Sequence, residues 1–151
     1  IYNGETVKIS SGYVVGGNGS AADIVGVLNG IFFNAADTNK PTFSNFYKAT
    51  ITPANSEDTT AFVMDDPFQQ YVVSTDDART QAQFLATYDM NSSAGDDTTG
   101  KSSSTLDTSV TDANGKQFRL LRSAEDPDNE DITAAFFSGI VVSNTNSFNQ
   151  V

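Results

Sequence analysis

Apolar and polar residues alternate along this chain in short runs, and Asn, Gly, Asp and Pro interrupt the runs at short intervals. Val, Ile, Thr, Phe and Tyr dominate the runs, whereas Leu, Glu, Lys and Arg, which favour helices, are few. This spacing is typical of β-sandwiches and β-barrels. We therefore predict an all-β fold in which residues 1–151 form a single domain, an antiparallel barrel or sandwich with room for one short helix.

The predicted strands follow from these runs and their interruptions. We expect strands at residues 7–10, 13–15, 24–33, 60–64, 68–73, 104–107, 117–122 and 136–143. Residues 24–50 have the pattern of a hairpin, and the pair Asn114-Gly115 predicts a tight turn between two neighbouring strands. The segment 77–88 is the helix candidate, with Asp77 at its N-cap, and a strand centred on Phe84 is the alternative.

Three polar segments separate or follow these strands. Residues 91–104 are almost wholly polar and predict a long, exposed and flexible loop. Residues 124–131 form an acidic loop, and residues 144–151 form a polar C-terminal tail. No internal repeat and no second domain is visible.

Composition and charge exclude several classes of function. The chain has 8 Lys and Arg against 19 Asp and Glu, and its net charge of −11 argues against binding along a nucleic-acid backbone. The sequence contains no Cys and no His, which excludes disulfides, zinc–cysteine sites and Ser-His-Asp triads. No apolar run is long enough to cross a membrane, and no signal peptide is visible. The chain does not begin with Met, which leaves a preceding N-terminal segment open.

The acidic loop is the strongest candidate for a chemical site, since clustered oxygen ligands suit calcium. An EF-hand that began at Asp126 would need Gly where Asp131 stands and Glu where Phe137 stands. The pattern therefore fails, and we expect a solvated acidic turn, with calcium binding left open. The adjacent pairs Asp65-Asp66 and Asp76-Asp77 point to opposite faces of an extended chain, so neither pair forms a glycosidase dyad.

Arg119 and Arg122 flank Leu120-Leu121 and are rare positive charges on an acidic protein. Arginine forms strong bidentate pairs with carboxylates. We expect a salt bridge from these residues to the loop 126–131, and a contact with a neighbouring subunit is the alternative.

Several short motifs occur in a fixed order along nearly the whole chain. They lie at residues 8–13, 26–33, 40–47, 61–67, 71–73, 99–102, 118–122 and 126–130. This order resembles a family of small virion structural proteins of tailed bacteriophages, common in marine and cyanobacterial phages, which are capsid decoration (cement) proteins.

The resemblance implies a protein with no enzymatic activity and no cofactor, located on the outer surface of a capsid, whose partner is the major capsid protein. No nucleic-acid or membrane partner is expected, and a homotrimer is the first choice of oligomer, a dimer the second. The candidates for contact with capsid or subunit are Phe43, Phe46, Tyr47, Phe68, Arg119, Arg122, Asp126, Asp128 and Glu130. Core packing is the alternative for the aromatic candidates. Residues 1–10 and 144–151 are the candidates for anchoring. The family usually carries an N-terminal arm before the first strand, and the expected absence of that arm leaves the mode of anchoring open.

Two other functions stay open at this point. The first is an adhesive or carbohydrate-binding module on a phage fibre or cell surface, which would use the loops 91–104 and 124–131, with or without calcium. Its weakness is the lack of Trp, a favoured platform for sugar rings. The second is a hydrolase that works with two carboxylates in a cleft.

Overall fold

The computed structural model describes residues 1–17, 19, 23–91, 93–112 and 115–147, without the side chains of residues 110–112. Two antiparallel sheets pack in a sandwich-like arrangement, and they do not close into a barrel within these residues. The fold is therefore all-β, as the alternation predicts. No helix in the described ranges is long and apolar enough to span a membrane.

The first sheet contains the first five strands of the chain. They are β1 (Thr6–Ser10), β2 (Tyr13–Gly16), β3 (Gly26–Asn34), β4 (Pro41–Ser44) and β5 (Thr60–Met64). The long strand β3 is its centre: β1 and β4 pair along one edge of β3, at opposite ends, and β5 pairs along the other edge. The hairpin predicted for residues 24–50 is thus confirmed as β3–β4, although β4 ends at Ser44.

The second sheet contains the last five strands, in the order β6-β10-β9-β7-β8. Their bounds are β6 (Gln70–Ser74), β7 (Thr87–Met90), β8 (Leu106–Asp112), β9 (Phe118–Ser123) and β10 (Ser138–Ser143). Because β7 lies between β8 and β9, the tight hairpin that Asn114-Gly115 predicts between these strands is wrong. Residues 113 and 114 themselves lie outside the described residues.

The helix predicted at residues 77–88 is also wrong, and so is the strand centred on Phe84. The segment forms one 3-10 turn, Gln81–Gln83, and then enters β7. Thr80 and Gln83 form a capping box, but Phe84 returns to an extended conformation and Leu85 has a φ of 67°. A left-handed residue ends a helix, so the helical spacing of Ala82, Leu85 and Ala86 cannot propagate beyond one turn.

The buried apolar residues form two separate clusters. The larger cluster lies on the second sheet and includes Tyr88, Leu106, Phe118 and Phe137, and the first sheet contributes Val27 to it. The smaller cluster consists of Val7, Leu28 and Ile31 on the first sheet. Since β3 contributes to both clusters, it is apolar on both faces.

Buried polar side chains connect the two sheets. The fully buried Gln117 donates through Nε2 to the carbonyl of Gly17, beside β2, and accepts a hydrogen bond from the backbone N–H of Met90 in β7 at 3.0 Å. Asn146 forms a parallel bridge with Ile24, and the N–H of Asn144 donates to the carbonyl of Gln117 at 2.8 Å. Residues 144–147 of the predicted polar tail are thus attached to the sheets by backbone hydrogen bonds, and residues 148–151 lie outside the described part.

The loop 91–104 is also attached to the rest of the fold. Asn3 and Lys101 form a parallel bridge, and the backbone N–H of Asn3 donates to the carbonyl of Gly100 at 2.9 Å. Gly100 is buried, whereas most of its neighbours in the loop are exposed. Most of the described loop residues are exposed, as predicted, and the turn and the bridge attach the loop to the N-terminal residues.

Candidate functional site

One face of the first sheet carries a group of exposed apolar side chains, which we call the aromatic patch: Phe32, Phe43, Phe62 and Met64. Their exposed fractions are 37%, 62%, 46% and 37%. The patch is built by the strand register, because Phe32 of β3 lies opposite Phe43 of β4, and Phe62 and Met64 project from the same face of β5. The rings of Phe43 and Phe62 are 6.0 Å apart between centroids.

Gly30 makes this arrangement possible at the centre of the patch. Its φ is +152°, and a Cβ atom at this position would lie 2.5 Å from Cζ of Phe43. Gly30 is paired with Phe62 across the strands, so the two aromatic rings approach each other above a residue with no side chain. The glycine that interrupts the apolar run of β3 is therefore required for the packing of the patch.

The opposite face of the first sheet forms an open groove of about 630 Å³. Leu28, Ile31 and Ala61 are among the residues of its apolar part. Tyr13, Tyr47, Glu57 and Asp58 also line it. A groove of this size with mostly apolar lining and a few polar groups can hold a small molecule or a chain segment.

The structure separates the aromatic candidates of the sequence analysis. Phe43 belongs to the aromatic patch, whereas Tyr47 lines the groove on the other face. Phe68 is 76% exposed in the connection between β5 and β6. Phe46 packs within the protein: its ring stacks on Tyr2 at 5.6 Å between centroids.

The contact between Tyr2 and Phe46 belongs to a group of interactions that connect residues near the first sheet to the loop 91–104. Lys48 forms an ion pair with Asp97 at 2.8 Å, and the hydroxyl of Tyr2 donates to Asp97 at 2.9 Å. The hydrogen bonds from Lys48 and Tyr2 lower the pKa of Asp97. The hydrogen bond between Tyr2 and Asp97 also raises the pKa of Tyr2. Phe46 is therefore part of the scaffold.

The charged candidates lie on the second sheet and the acidic loop. Arg119 donates to the carbonyl of Leu85 and, at 3.2 Å, to the side chain of Asn144, so its hydrogen bonds are not to the loop 126–131. Arg122 pairs with Glu125 at 3.3 Å, and both side chains are exposed. Glu125 lies in the acidic loop 124–131 but precedes the segment 126–131, to which the sequence predicts the salt bridge. Such an exposed pair contributes little to stability.

Within the acidic loop, Asp126 accepts hydrogen bonds from the backbone of Asp128 and the side chain of Asn129, as in an Asx turn. Asp128 and Glu130 are exposed. Among the described residues, no group of three or more Asp, Glu, His or Cys side chains is placed to hold a metal ion. The contact candidates of the sequence analysis thus lie on separate surfaces. Phe43 is the one candidate that belongs to the aromatic patch.

The sequence analysis missed Phe32, Phe62 and Met64. The signal for two of them is present in the alternation of β5, which places Phe62 and Met64 on one face and Ala61 and Val63 on the other. The pattern identifies two faces of a strand, but it does not tell which face another layer covers.

Comparison with known proteins adds no relative. No family model matches the chain, and no curated protein or solved structure does.

Proposed function

We propose that this protein is a non-enzymatic decoration (cement) protein that binds the outer surface of a tailed-phage head and stabilises the shell of major capsid proteins. The observation that carries the proposal is the aromatic patch, which exposes three Phe side chains and a Met on one sheet face. An exposed group of apolar side chains of this kind usually marks a protein–protein contact. The order of short motifs, which resembles phage decoration proteins, supports the capsid as the partner.

Charge supports a protein partner over a nucleic acid. The chain carries a net charge of −11, so it would be repelled by DNA and has no excess of Lys and Arg to neutralise phosphates. Aromatic residues and Met are enriched in the cores of protein interfaces, and the patch consists of these types. A shell presents many copies of the same surface, so several weak contacts per oligomer would add to a stable attachment.

The first test is the copy number of the chain in purified particles of the phage that encodes it. We expect a molar ratio to the major capsid protein near one, or a simple fraction such as about one third if trimers bind between capsid subunits. A few copies per particle would instead place the protein on a fibre, collar or vertex. Absence from particles would refute the proposal.

The second test is binding to heads that lack the protein. Phe43→Ser and Phe62→Ser are expected to weaken co-sedimentation with such heads by about tenfold or more, because interface aromatics dominate binding energy. Val72→Ser is the matched control, since Val72 is 68% exposed on the second sheet and lies outside the patch. Equal binding of all three variants would contradict a role for the patch.

The groove supports a second candidate, a carbohydrate-binding module. Tyr13 and Tyr47 line the groove together with Glu57 and Asp58, which gives ring surfaces next to hydrogen-bond acceptors. Titration with soluble polysaccharides would test it, with Tyr13→Ala expected to abolish any binding. If the protein binds polysaccharides and does not bind heads, the carbohydrate-binding module replaces the decoration protein as the proposed function.

A further inference from the structure

Strand β5 is an edge strand with little protection. Within the described residues its strand partner is β3, and its outer edge has no neighbour. The strand has the sequence TAFVM, without charge or proline, and the register shift of this pair lies at Leu28 and Gly30 on the β3 side. Proteins usually protect an edge with Lys, Pro or a bulge, because its free N–H and C=O groups can pair with another chain.

Two of the other edge strands, β4 and β8, differ from β5 in this respect. Edge strand β4 begins with Pro41, which cannot donate to a neighbouring strand. Edge strand β8 carries Asp107 and Asp112, and a parallel bridge from Thr75 to Leu106 covers its beginning. Edge strands β2 (YVVG) and β6 (QYVVS) also lack charge and proline, so β5 is one of three edges without this protection.

Carboxylates flank β5 at both ends. Glu57 and Asp58 precede it, Asp65 and Asp66 follow it, and all four residues are exposed. If two copies of the protein paired antiparallel through β5, centred on Phe62, Asp58 of each copy would lie opposite Asp66 of the other. A parallel pairing would place each carboxylate beside its own equivalent. Like charges directly opposite each other destabilise strand pairing, so these residues disfavour a second copy.

We propose that the outer edge of β5 binds an extended segment of a partner protein, which adds as a further antiparallel strand and carries Lys or Arg on both sides of an apolar stretch. Main-chain hydrogen bonds would hold the segment, and the four carboxylates would select its basic flanks. This inference deepens the proposed function, since it describes how a shell protein would be held. Only the identity of the partner, a capsid protein, depends on the proposed function; the strand pairing at β5 does not.

Two experiments on the isolated protein test the edge of β5 without phage particles. A negative result in them would count against strand pairing at β5, whereas a failure to bind heads would count against the proposed function. In the first, a peptide of sequence KKTVTVTKK is titrated into ¹⁵N-labelled protein. We expect the largest amide shifts in β5 and slower amide exchange there. The control peptide has N-methyl groups on every residue of the central TVTVT stretch, which block both of its edges, and should bind at least tenfold more weakly. Equal binding of both peptides, no binding, or shifts outside β5 would overturn the proposal.

The second experiment uses the charges that flank the strand. In an antiparallel dimer of the Asp58→Lys variant, the new Lys of each copy would lie opposite Asp66 of the other copy. We therefore expect this variant to raise the self-association constant at least tenfold in analytical ultracentrifugation. The double variant Asp58→Lys/Asp66→Lys restores like charges and should return to the wild-type value. Asp128→Lys, which makes the same change of charge in the acidic loop, is the matched control. Self-association that is unchanged in Asp58→Lys, or raised equally in Asp128→Lys, would overturn the proposal.

Discussion

The two sheets have nearly the same number of residues in strands but differ in what they bury. Among the residues that the structure describes, the second sheet encloses Tyr88, Phe118 and Phe137 in a cluster of nine buried residues, whereas the first sheet has a cluster of three. The first sheet instead exposes the aromatic patch on one face and the groove on the other. The difference indicates a division of roles, in which the second sheet stabilises the fold and the first sheet provides surface for binding.

The largest effect on stability is expected from the core of the second sheet. Phe137 is 1% exposed, and its ring meets that of Phe84 at 6.5 Å between centroids. Phe137→Ala should lower the free energy of unfolding by about 3–5 kcal/mol, since it leaves a cavity in a packed core. Chemical denaturation measures this loss. A loss as large in Phe43→Ala would contradict the proposed difference between the sheets.

A somewhat smaller effect is expected where the two sheets are joined. Gln117→Leu keeps the volume of the side chain but leaves the N–H of Met90 and the carbonyl of Gly17 without this partner. We expect a loss of about 2–4 kcal/mol in the free energy of unfolding, because buried polar groups without partners are costly. The control is Gln69→Leu, at an exposed position, which should unfold like the wild type.

Acid sensitivity should arise in part from Asp76, two residues after the end of β6. Burial opposes ionisation of this carboxyl, but hydrogen bonds from Thr108 and Asn91 outweigh burial and lower its pKa. A lowered pKa gives stability that is present above the unfolded value of about 3.9 and is lost as the pH falls through the folded value.

Asp76→Asn should therefore destabilise the protein by about 1–2 kcal/mol at neutral pH, with the difference shrinking below about pH 4. Denaturation at a series of pH values checks this. Asp77→Asn is the neighbouring control, since Asp77 is exposed. A difference that stays constant down to pH 2 would show that the charge of Asp76 is not the cause.

The smallest change in stability is expected in the aromatic patch. Phe43→Ser and Phe62→Ser should change the free energy of unfolding by less than Phe137→Ala does, by about 1 kcal/mol, because Phe43 and Phe62 remain 62% and 46% exposed. The same variants are expected to lose most of the binding to heads. Substitutions in the first sheet should therefore affect binding more than stability, and Phe137→Ala in the second sheet should mainly affect stability. A large loss of stability would show that the patch packs as a core.

The sequence predicts local features of this fold better than its long-range arrangement. Strand β5 matches its predicted bounds, and Pro67 follows the end of the strand as expected, because alternation and proline act over a few residues. The Asn114-Gly115 signal misleads because a distant strand, β7, lies between the two strands it would join. A local turn signal cannot report an insertion from elsewhere in the chain.

The site is less predictable for a related reason. Phe43, Phe46 and Tyr47 look alike in the sequence, yet one is exposed on the patch, one stacks on Tyr2 and one lines the groove. Which of these environments each ring occupies depends on the N-terminal residues and on the loop 91–104, both distant in sequence. The patch emerges only once the register of β3, β4 and β5 is known.

The most direct test of this account is hydrogen–deuterium exchange of the protein, free and bound to heads that lack it. We predict that binding slows amide exchange in the first sheet, above all in Thr60–Met64 and Pro41–Ser44, and leaves Thr87–Met90 and Phe118–Ser123 unchanged. Slowed exchange confined to the second sheet or the acidic loop would contradict the division of roles between the two sheets.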